Sequence, residues 1–222
     1  MGCAPVSVRI AGGVFRGRVL TGPPRTGSRR GAPPSGELAR PTAVRLRKSL
    51  FTVLADELPG VRVLDLCAGV GTLGFEAISR GARECLFVER SPRLGRLIEA
   101  NAERLGVTSF ELRVGDALRE LQRLRDAAQV FEVAFLDPPW EAWDSEAGLQ
   151  LLREAISVAP LVMAEHRSSW TPPPNVVFDP GRESGSASRR FCGRRVRTTK
   201  AGDSAFSLYR RDEESGAVRT LS

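Results

Sequence analysis

Between Val61 and Glu165, strand-like and helix-like runs alternate in a regular order, and no other feature of the chain restricts its fold so tightly. The strand-like runs are VRVLDL, ECLFVE, SFELRV, FEVAFLD and APLVMAE. Between them, Thr72 to Arg80, Pro92 to Leu105, Ala117 to Arg125 and Ser145 to Val158 space their apolar residues as helices do. A β-α-β-α order of this kind predicts an α/β fold: a mostly parallel sheet with helices on both faces. Past it, RRFCGRRVRTT and SAFSLYRR, separated by KAGD, predict an antiparallel hairpin that closes the sheet. Ahead of it, VRIAGGVFRGRVL predicts a small N-terminal hairpin around Gly12-Gly13, and Val44 to Leu54 a first helix stopped by Pro59-Gly60. Thr21 to Gly36 is rich in Pro, Gly, Ser and Arg, the composition of a flexible basic loop. The expected division is 1–36 as basic hairpin and loop, 37–211 as the main domain, and 212–222 as a disordered tail.

The first strand runs into a literal G-x-G-x-x-G at Gly69, Gly71 and Gly74. The glycines mark a tight turn that a ligand can approach closely, whatever that ligand is. Asp65 stands at the carboxyl end of that strand, where open α/β sheets bind ligands, and Glu89 ends the second strand, where an acid accepts from ribose hydroxyls. A dinucleotide and S-adenosylmethionine both use that second acid. A pyrophosphate wants uncompensated helix N–H groups, whereas an ammonium group favours a carboxylate, so Asp65 tilts the reading towards the methyl donor. A strand-end Asp is also an ordinary capping residue.

FLDPPW, Phe135 to Trp140, ends the fourth strand and carries the stronger signal. Two prolines after an Asp stop a central strand and fix the backbone at the sheet's edge. The Asp137 carboxylate and the Pro138 carbonyl together match the two N–H donors of an exocyclic amino group, leaving its nitrogen lone pair for an incoming methyl group. Trp140 offers a flat face for a base, a contact worth about 1 to 3 kcal/mol in single-strand sites. A capped turn with a buried Trp is the plainer reading of the same residues.

The chain carries a net charge of +7 with a pI near 10.2, a balance that favours a polyanionic partner. Lys48 and Lys200 are its two lysines and Arg supplies the rest, a bias that a GC-rich genome also produces. Cys3, Cys67, Cys85 and Cys192 are scattered and come with a single histidine, His166, so neither a disulfide framework nor a metal site is expected. The absence of a long apolar run or secretion-type start predicts a cytoplasmic protein.

Taken in order, DLCAGVGTLGFEAISRGA, VER, GDA and LDPPW resemble the motifs of Rossmann-like class I S-adenosylmethionine-dependent amino-group methyltransferases. RIAGGVFRGRVL, RPTAVRLRKSLF and the C-terminal LYRR narrow the resemblance to the RsmD family, over nearly the whole chain from about Val8 to Arg211. That family methylates a guanine N2 amino group of 16S ribosomal RNA. The resemblance implies a cofactor site of Asp65, Ala68, Gly69 and Gly71 around the methionine end, Glu89 at the ribose, and Asp116 with Ala117 near the adenine. It implies Asp137, Pro138, Pro139 and Trp140 as the catalytic motif, and Arg40, Pro41, Thr42 and Arg45 as a segment over the cofactor or the RNA. Arg9, Arg16, Arg18, Arg29 and Arg30 are expected to extend an RNA-facing edge, with 16S RNA or the assembling small subunit as partner of a monomeric enzyme. The chain departs from the family pattern at Ala43, Val44, Lys48, Thr52 and Trp140, which leaves the exact target open. A nicotinamide oxidoreductase would leave DPPW without a role. An adenine-N6 methyltransferase would use the same motifs on a different base, and a non-catalytic RNA-binding assembly factor would keep the basic hairpin and loop without the cofactor.

Overall fold

The computed structural model describes residues 5–24, 41–179 and 190–212. Its centre is an eight-stranded sheet. The parallel part is made by β3 (Arg62–Leu66), β4 (Glu84–Glu89), β5 (Phe110–Val114), β6 (Val133–Leu136) and β7 (Leu161–Arg167). The antiparallel part is β8 (Asn175–Phe178), β9 (Phe191–Ala201) and β10 (Ser204–Arg211). The strand order is β5-β4-β3-β6-β7-β10-β9-β8. β9 and β10 form the expected closing hairpin, with Gly202 at φ 59° in its turn.

Helices α1 (Pro41–Val53), α2 (Thr72–Ser79) and α3 (Pro92–Leu105) cover one face, and α4 (Ala117–Asp126) and α5 (Glu146–Val158) cover the other. The first face packs Leu46, Leu50 and Phe51 of α1 and Ile98 and Ala102 of α3 with Phe135, Met163 and Phe206. The second packs Leu121 and Leu124 of α4 and Leu152, Ala155 and Ile156 of α5 with Leu64, Leu66, Ala134 and Val162. Both faces of β3 and β6 are therefore dry, which is why these strands read as continuous apolar runs rather than alternating ones. α3 begins on Pro92 behind a Ser91 cap and ends on Gly106 at φ 72°, the order of signals that a helix with defined ends carries.

The N-terminal hairpin pairs β1 (Pro5–Arg9) with β2 (Val19–Pro24), with Arg9 opposite Val19. Gly12-Gly13 does not form a tight two-residue turn, because the whole segment from Ile10 to Arg18 connects the strands. The glycines serve docking instead. A Cβ on Gly13 would stand 1.7 Å from the Ser79 carbonyl oxygen, and Val14 N and Phe15 N donate to Ser79 O and Oγ. Farther along, buried Asn101 of α3 accepts from Thr21 N at 2.8 Å and donates to Thr21 O and to Val70 O of the glycine turn. The hairpin is thus bolted to α2 and α3.

Candidate active site

The strand order reverses beside β3. β4 and β5 build outward on one side, and β6 returns to the other, so the ends of β3 and β6 flank the crevice where ligands of open sheets bind. Asp65 and Asp137 belong to those two strand ends, and Asp137 N approaches Leu66 O at 3.4 Å. The chain leaves β3 through Cys67 at φ 62°, a left-handed conformation that a side chain rarely adopts, and then Gly69 at φ 60° and Gly71 at φ 82°. A Cβ at Gly69 would meet nothing within 4 Å, whereas one at Gly71 would collide with Phe75. Gly69 borders open space. Gly74 is needed for packing, because a Cβ there would lie 2.2 Å from Phe87 Cε1 and 2.7 Å from Cys85 Sγ.

Acids hold two N–H groups of this turn. Asp65, 1% exposed, accepts from Gly74 N through Oδ2 at 2.8 Å, while Glu89 accepts from Gly69 N at 2.7 Å and from Ser91 N at 2.8 Å. Gly71 N is bound to Ala68 O. A phosphate would therefore meet carboxylates at Gly69 and Gly74, where pyrophosphate sites offer N–H groups. Among the described residues two buried side-chain oxygens have no partner, Asp65 Oδ1 and Thr72 Oγ1. Burial drives the Asp65 carboxyl well above its ordinary pKa; the Gly74 N–H opposes this, and the nearby Asp137 and Glu89 charges reinforce it.

Cys67 reports how closely the acids converge. Its thiol is pushed up to about 12 by burial first, and then by Asp137, Glu89, Asp65 and Asp116. Asp116 caps α4 by accepting from Arg119 N at 3.2 Å, Ala117 is buried behind it, and Gly115 N donates to Glu89 O. Ala68, also nearly buried, ties the turn to β4 through Val88 O. Four carboxylates acting on Cys67, one of them with a buried oxygen that has no partner among the described residues, suit a cationic ligand with N–H donors.

Beyond Asp137, Pro138 is buried, Pro139 exposed, and Trp140 half-buried at the start of a 3-10 helix, Trp140–Asp144. The Arg167 guanidinium lies 5.6 Å from the Trp140 ring centroid and reaches Glu141 at 3.4 Å and Asp144 at 3.9 Å. Trp143 is held beneath by its Nε1–H bond to Glu165 O at 2.8 Å and by Trp170, whose ring is 4.8 Å away. His166 packs edge-on against Trp170 at 5.0 Å.

The structure thus brings Asp65, Ala68, Gly69, Gly71, Glu89, Asp116, Ala117 and Asp137 to the carboxyl edge of the sheet, with Trp140 opening the next turn. It does not bring all the expected RNA-facing residues there. Arg16 and Arg18 are exposed near the far ends of α2 and α3, and Arg18 donates to Arg104 O at 3.2 Å. Because α2 runs away from the glycine turn for eight residues, its far end lies about 12 Å below it. Arg9 donates to Gly17 O within the hairpin, Arg45 is exposed on α1, and Thr42 stands in the first turn of α1. Arg29, Arg30 and Arg40 lie outside the described residues. Sequence reasoning missed Cys67, Thr72, Asn101 and Arg167. Asn101 had a signal, a polar residue on the apolar stripe with Ile98, Ala102 and Leu105, but Cys67 and Arg167 have none, since a backbone angle and a stack between a strand end and a distant 3-10 helix leave no local pattern.

Known proteins resemble the chain in sequence and in fold. The ribosomal RNA small subunit methyltransferase D of Haemophilus influenzae is 34% identical over 149 residues, 66% of this chain and 71% of that protein. The solved structure of a hypothetical protein of Thermus thermophilus is 29% identical and superposes with a TM-score of 0.66, covering 90% of this chain and 98% of that one. An S-adenosylmethionine-dependent methyltransferase of Agrobacterium tumefaciens shares the fold at 16% identity, with a TM-score of 0.56 over 86% of this chain and 67% of its own. The model of the family described as conserved hypothetical protein 95 matches residues 8–180. The chain therefore belongs to the conserved hypothetical protein 95 family, the RsmD family that its ordered motifs resemble.

Proposed function

We propose that the protein transfers a methyl group from S-adenosylmethionine to the exocyclic N2 amino group of a guanine in small-subunit ribosomal RNA. The observation that carries the cofactor assignment is the gathering of Asp65, Glu89, Asp116 and Asp137 beside Cys67, with Asp65 and Glu89 each holding an N–H of the glycine turn. That arrangement repels a pyrophosphate and attracts a cation. S-adenosylmethionine supplies an electrophilic methyl on a sulfonium, together with an ammonium group for which Asp65 Oδ1 is a ready acceptor. Glu89, Asp116 and Ala117 line the side of the crevice where the ribose and adenine extend.

Asp137 and the Pro138 carbonyl accept the two N–H donors of the target amine and hold its lone pair towards the crevice. The nitrogen–carbon bond forms as the sulfur–carbon bond breaks, the electron pair passing to sulfur, and Asp137 accepts the proton that the methylated nitrogen sheds. Trp140 provides the stacking surface for a base turned out of its helix. Arg45, exposed on α1, gives RNA a cationic contact, and the docked hairpin belongs with the catalytic domain. The relatives' name supports ribosomal RNA as the substrate class, and the DPPW geometry supports an amino nitrogen as the acceptor.

Incubation with labelled S-adenosylmethionine and undermethylated small ribosomal subunits, followed by mapping of the modified nucleotide, tests the reading. Label on one guanine N2 is the expected result. Label on an adenine amino group would reassign the target, and reduction of a nicotinamide without any transfer of label would overturn the proposal.

A further inference from the structure

The carboxyl edge of the sheet bears a group of cations for which neither the fold nor the cofactor site has a use. Arg90 directly follows Glu89, Arg93 is the second residue of α3, and Arg119 is the third residue of α4. All three are exposed, and none makes a side-chain hydrogen bond or ion pair among the described residues. By contrast Arg62, Arg80, Arg113, Arg123, Arg125, Arg153 and Arg210 all reach carboxylates. Two of the three also stand in the first turn of a helix, where the macrodipole already places positive potential and disfavours a cation. The first turn of α3 carries no acid to compensate.

Their placement is common to all three. Glu89 pairs with Val114, so the ends of β4 and β5 are level, and α3 and α4 start from those ends on opposite faces of the sheet. Arg93 and Arg119 therefore straddle the edge with Arg90 between them. At about 4.8 Å per strand, the ends of β4 and β5 stand about 10 and 14 Å from the end of β6, where Asp137 lies. This is a phosphate's distance from the catalytic motif, along a rim that the acid crevice would otherwise leave repulsive to a polyanion.

We infer that Arg90, Arg93 and Arg119 form a phosphate-binding rim that holds the RNA strand flanking the target base, an inference that rests on the RNA reading above. The rim offsets the repulsion between the backbone and the four acids, and it places the strand across the mouth of the site rather than along the hairpin tip.

The test is the salt dependence of RNA binding for the full chain, with a ribosomal RNA fragment as probe. Replacing the three with Gln should lower the log-log salt slope by about 2 to 3, since each phosphate contact contributes about 0.7 to 0.9. At 0.1 M salt the affinity should fall on the order of a hundredfold. Arg90→Lys with Arg93→Lys and Arg119→Lys should keep the parent slope, because charge is retained. Arg83→Gln, at an exposed cation before β4 that is unpaired among the described residues and stands at the opposite end of the sheet, should leave the slope unchanged. Cofactor affinity by calorimetry should be the same in every variant, which separates loss of the rim from loss of the fold. A triple Gln variant with the parent's slope, or an Arg83→Gln loss equal to that of each rim residue, would overturn the inference. A parent protein that neither binds RNA nor methylates it would instead overturn the function on which the inference rests.

Discussion

Asp65→Asn should make the free protein more stable and the cofactor complex weaker. The parent carboxylate is buried with one oxygen bound to Gly74 N–H and the other without a partner. Its pKa is raised in the fold, so the native state binds the proton more tightly than the unfolded chain does. By linkage, ionised Asp65 then opposes folding by about 1.4 kcal/mol for each pKa unit between the folded value and the unfolded one near 3.9, at any pH above both. An Asn keeps an acceptor for Gly74 N–H and carries no charge. The free variant should therefore melt above the parent at pH 8, by about 2 to 4 °C per kcal/mol for a chain of this size. That gap should close as pH falls towards the ordinary carboxylate range, where Asp65 is protonated in both states. Cofactor binding should change in the opposite sense, because a hydrogen bond between the ammonium and a carboxylate is worth about 1.5 to 3 kcal/mol, or roughly 10- to 150-fold in affinity. Calorimetry in buffers of different ionisation enthalpy adds a third measurement: near the raised pKa, the parent should release protons on binding S-adenosylmethionine and the variant should not. A variant that binds the cofactor as tightly as the parent, with no gain in melting temperature at pH 8, would remove the orphaned carboxylate from its assigned role.

Asp137→Ala should abolish methyl transfer with cofactor affinity nearly unchanged; near-normal turnover in a single-turnover assay would take the amine away from Asp137. Glu89→Ala strips acceptors from Gly69 N–H and Ser91 N–H, so it should cost about 1 to 3 kcal/mol for each group left buried and unpaired, and weaken cofactor binding as well. Calorimetry showing parental affinity would separate the turn from the ribose. Gly74→Ala forces a methyl group against Phe87 and Cys85 and should destabilise by about 1 to 3 kcal/mol in denaturant titration, a loss that a smaller residue at position 87 would partly restore. Burial lowers the pKa of His166, opposed by its bond to the Arg167 carbonyl and aided by the Lys200 and Arg195 charges. Its contribution to stability is complete above the ordinary value near 6.5 and is lost as pH falls from there towards the folded value. His166→Leu should flatten that part of the melting profile, and an unaltered profile would assign the acid sensitivity to other groups.

The parallel core was legible because burial on both faces leaves its mark on sequence. Runs such as VLDL and VAFL stay apolar at nearly every position, and helices such as α3 are bracketed by Ser91-Pro92 and Gly106. Elements with partners distant in the chain read less well. The N-terminal hairpin takes its shape from Ser79 and Asn101, residues more than sixty positions away, so Gly12-Gly13 has the look of a turn when it is a docking surface. Glu89 shows the same limit within the site. Its spacing from Gly69 marks an acid near a ribose, but nothing local shows that both its oxygens already hold backbone N–H groups.

Charge shows most clearly why placement decides what number cannot. A net charge of +7 made of arginine fits an RNA-binding protein and a GC-rich genome equally well. In the fold, many of these arginines pair with carboxylates or backbone carbonyls, Arg9 and Arg18 among them, and the hairpin tip that carries Arg16 and Arg18 faces the end of the sheet away from Asp137. Arg90, Arg93 and Arg119 are set apart by place: unpaired among the described residues as Arg83 and Arg96 also are, they alone of these stand at the strand ends and first helical turns beside the acids that repel the proposed substrate. Codon bias distributes arginine without regard to sheet polarity. A site that must attract a sulfonium cation and tolerate an RNA backbone within about 15 Å of it needs both signs of charge in separate places, acids inside the crevice and guanidinium groups on its rim.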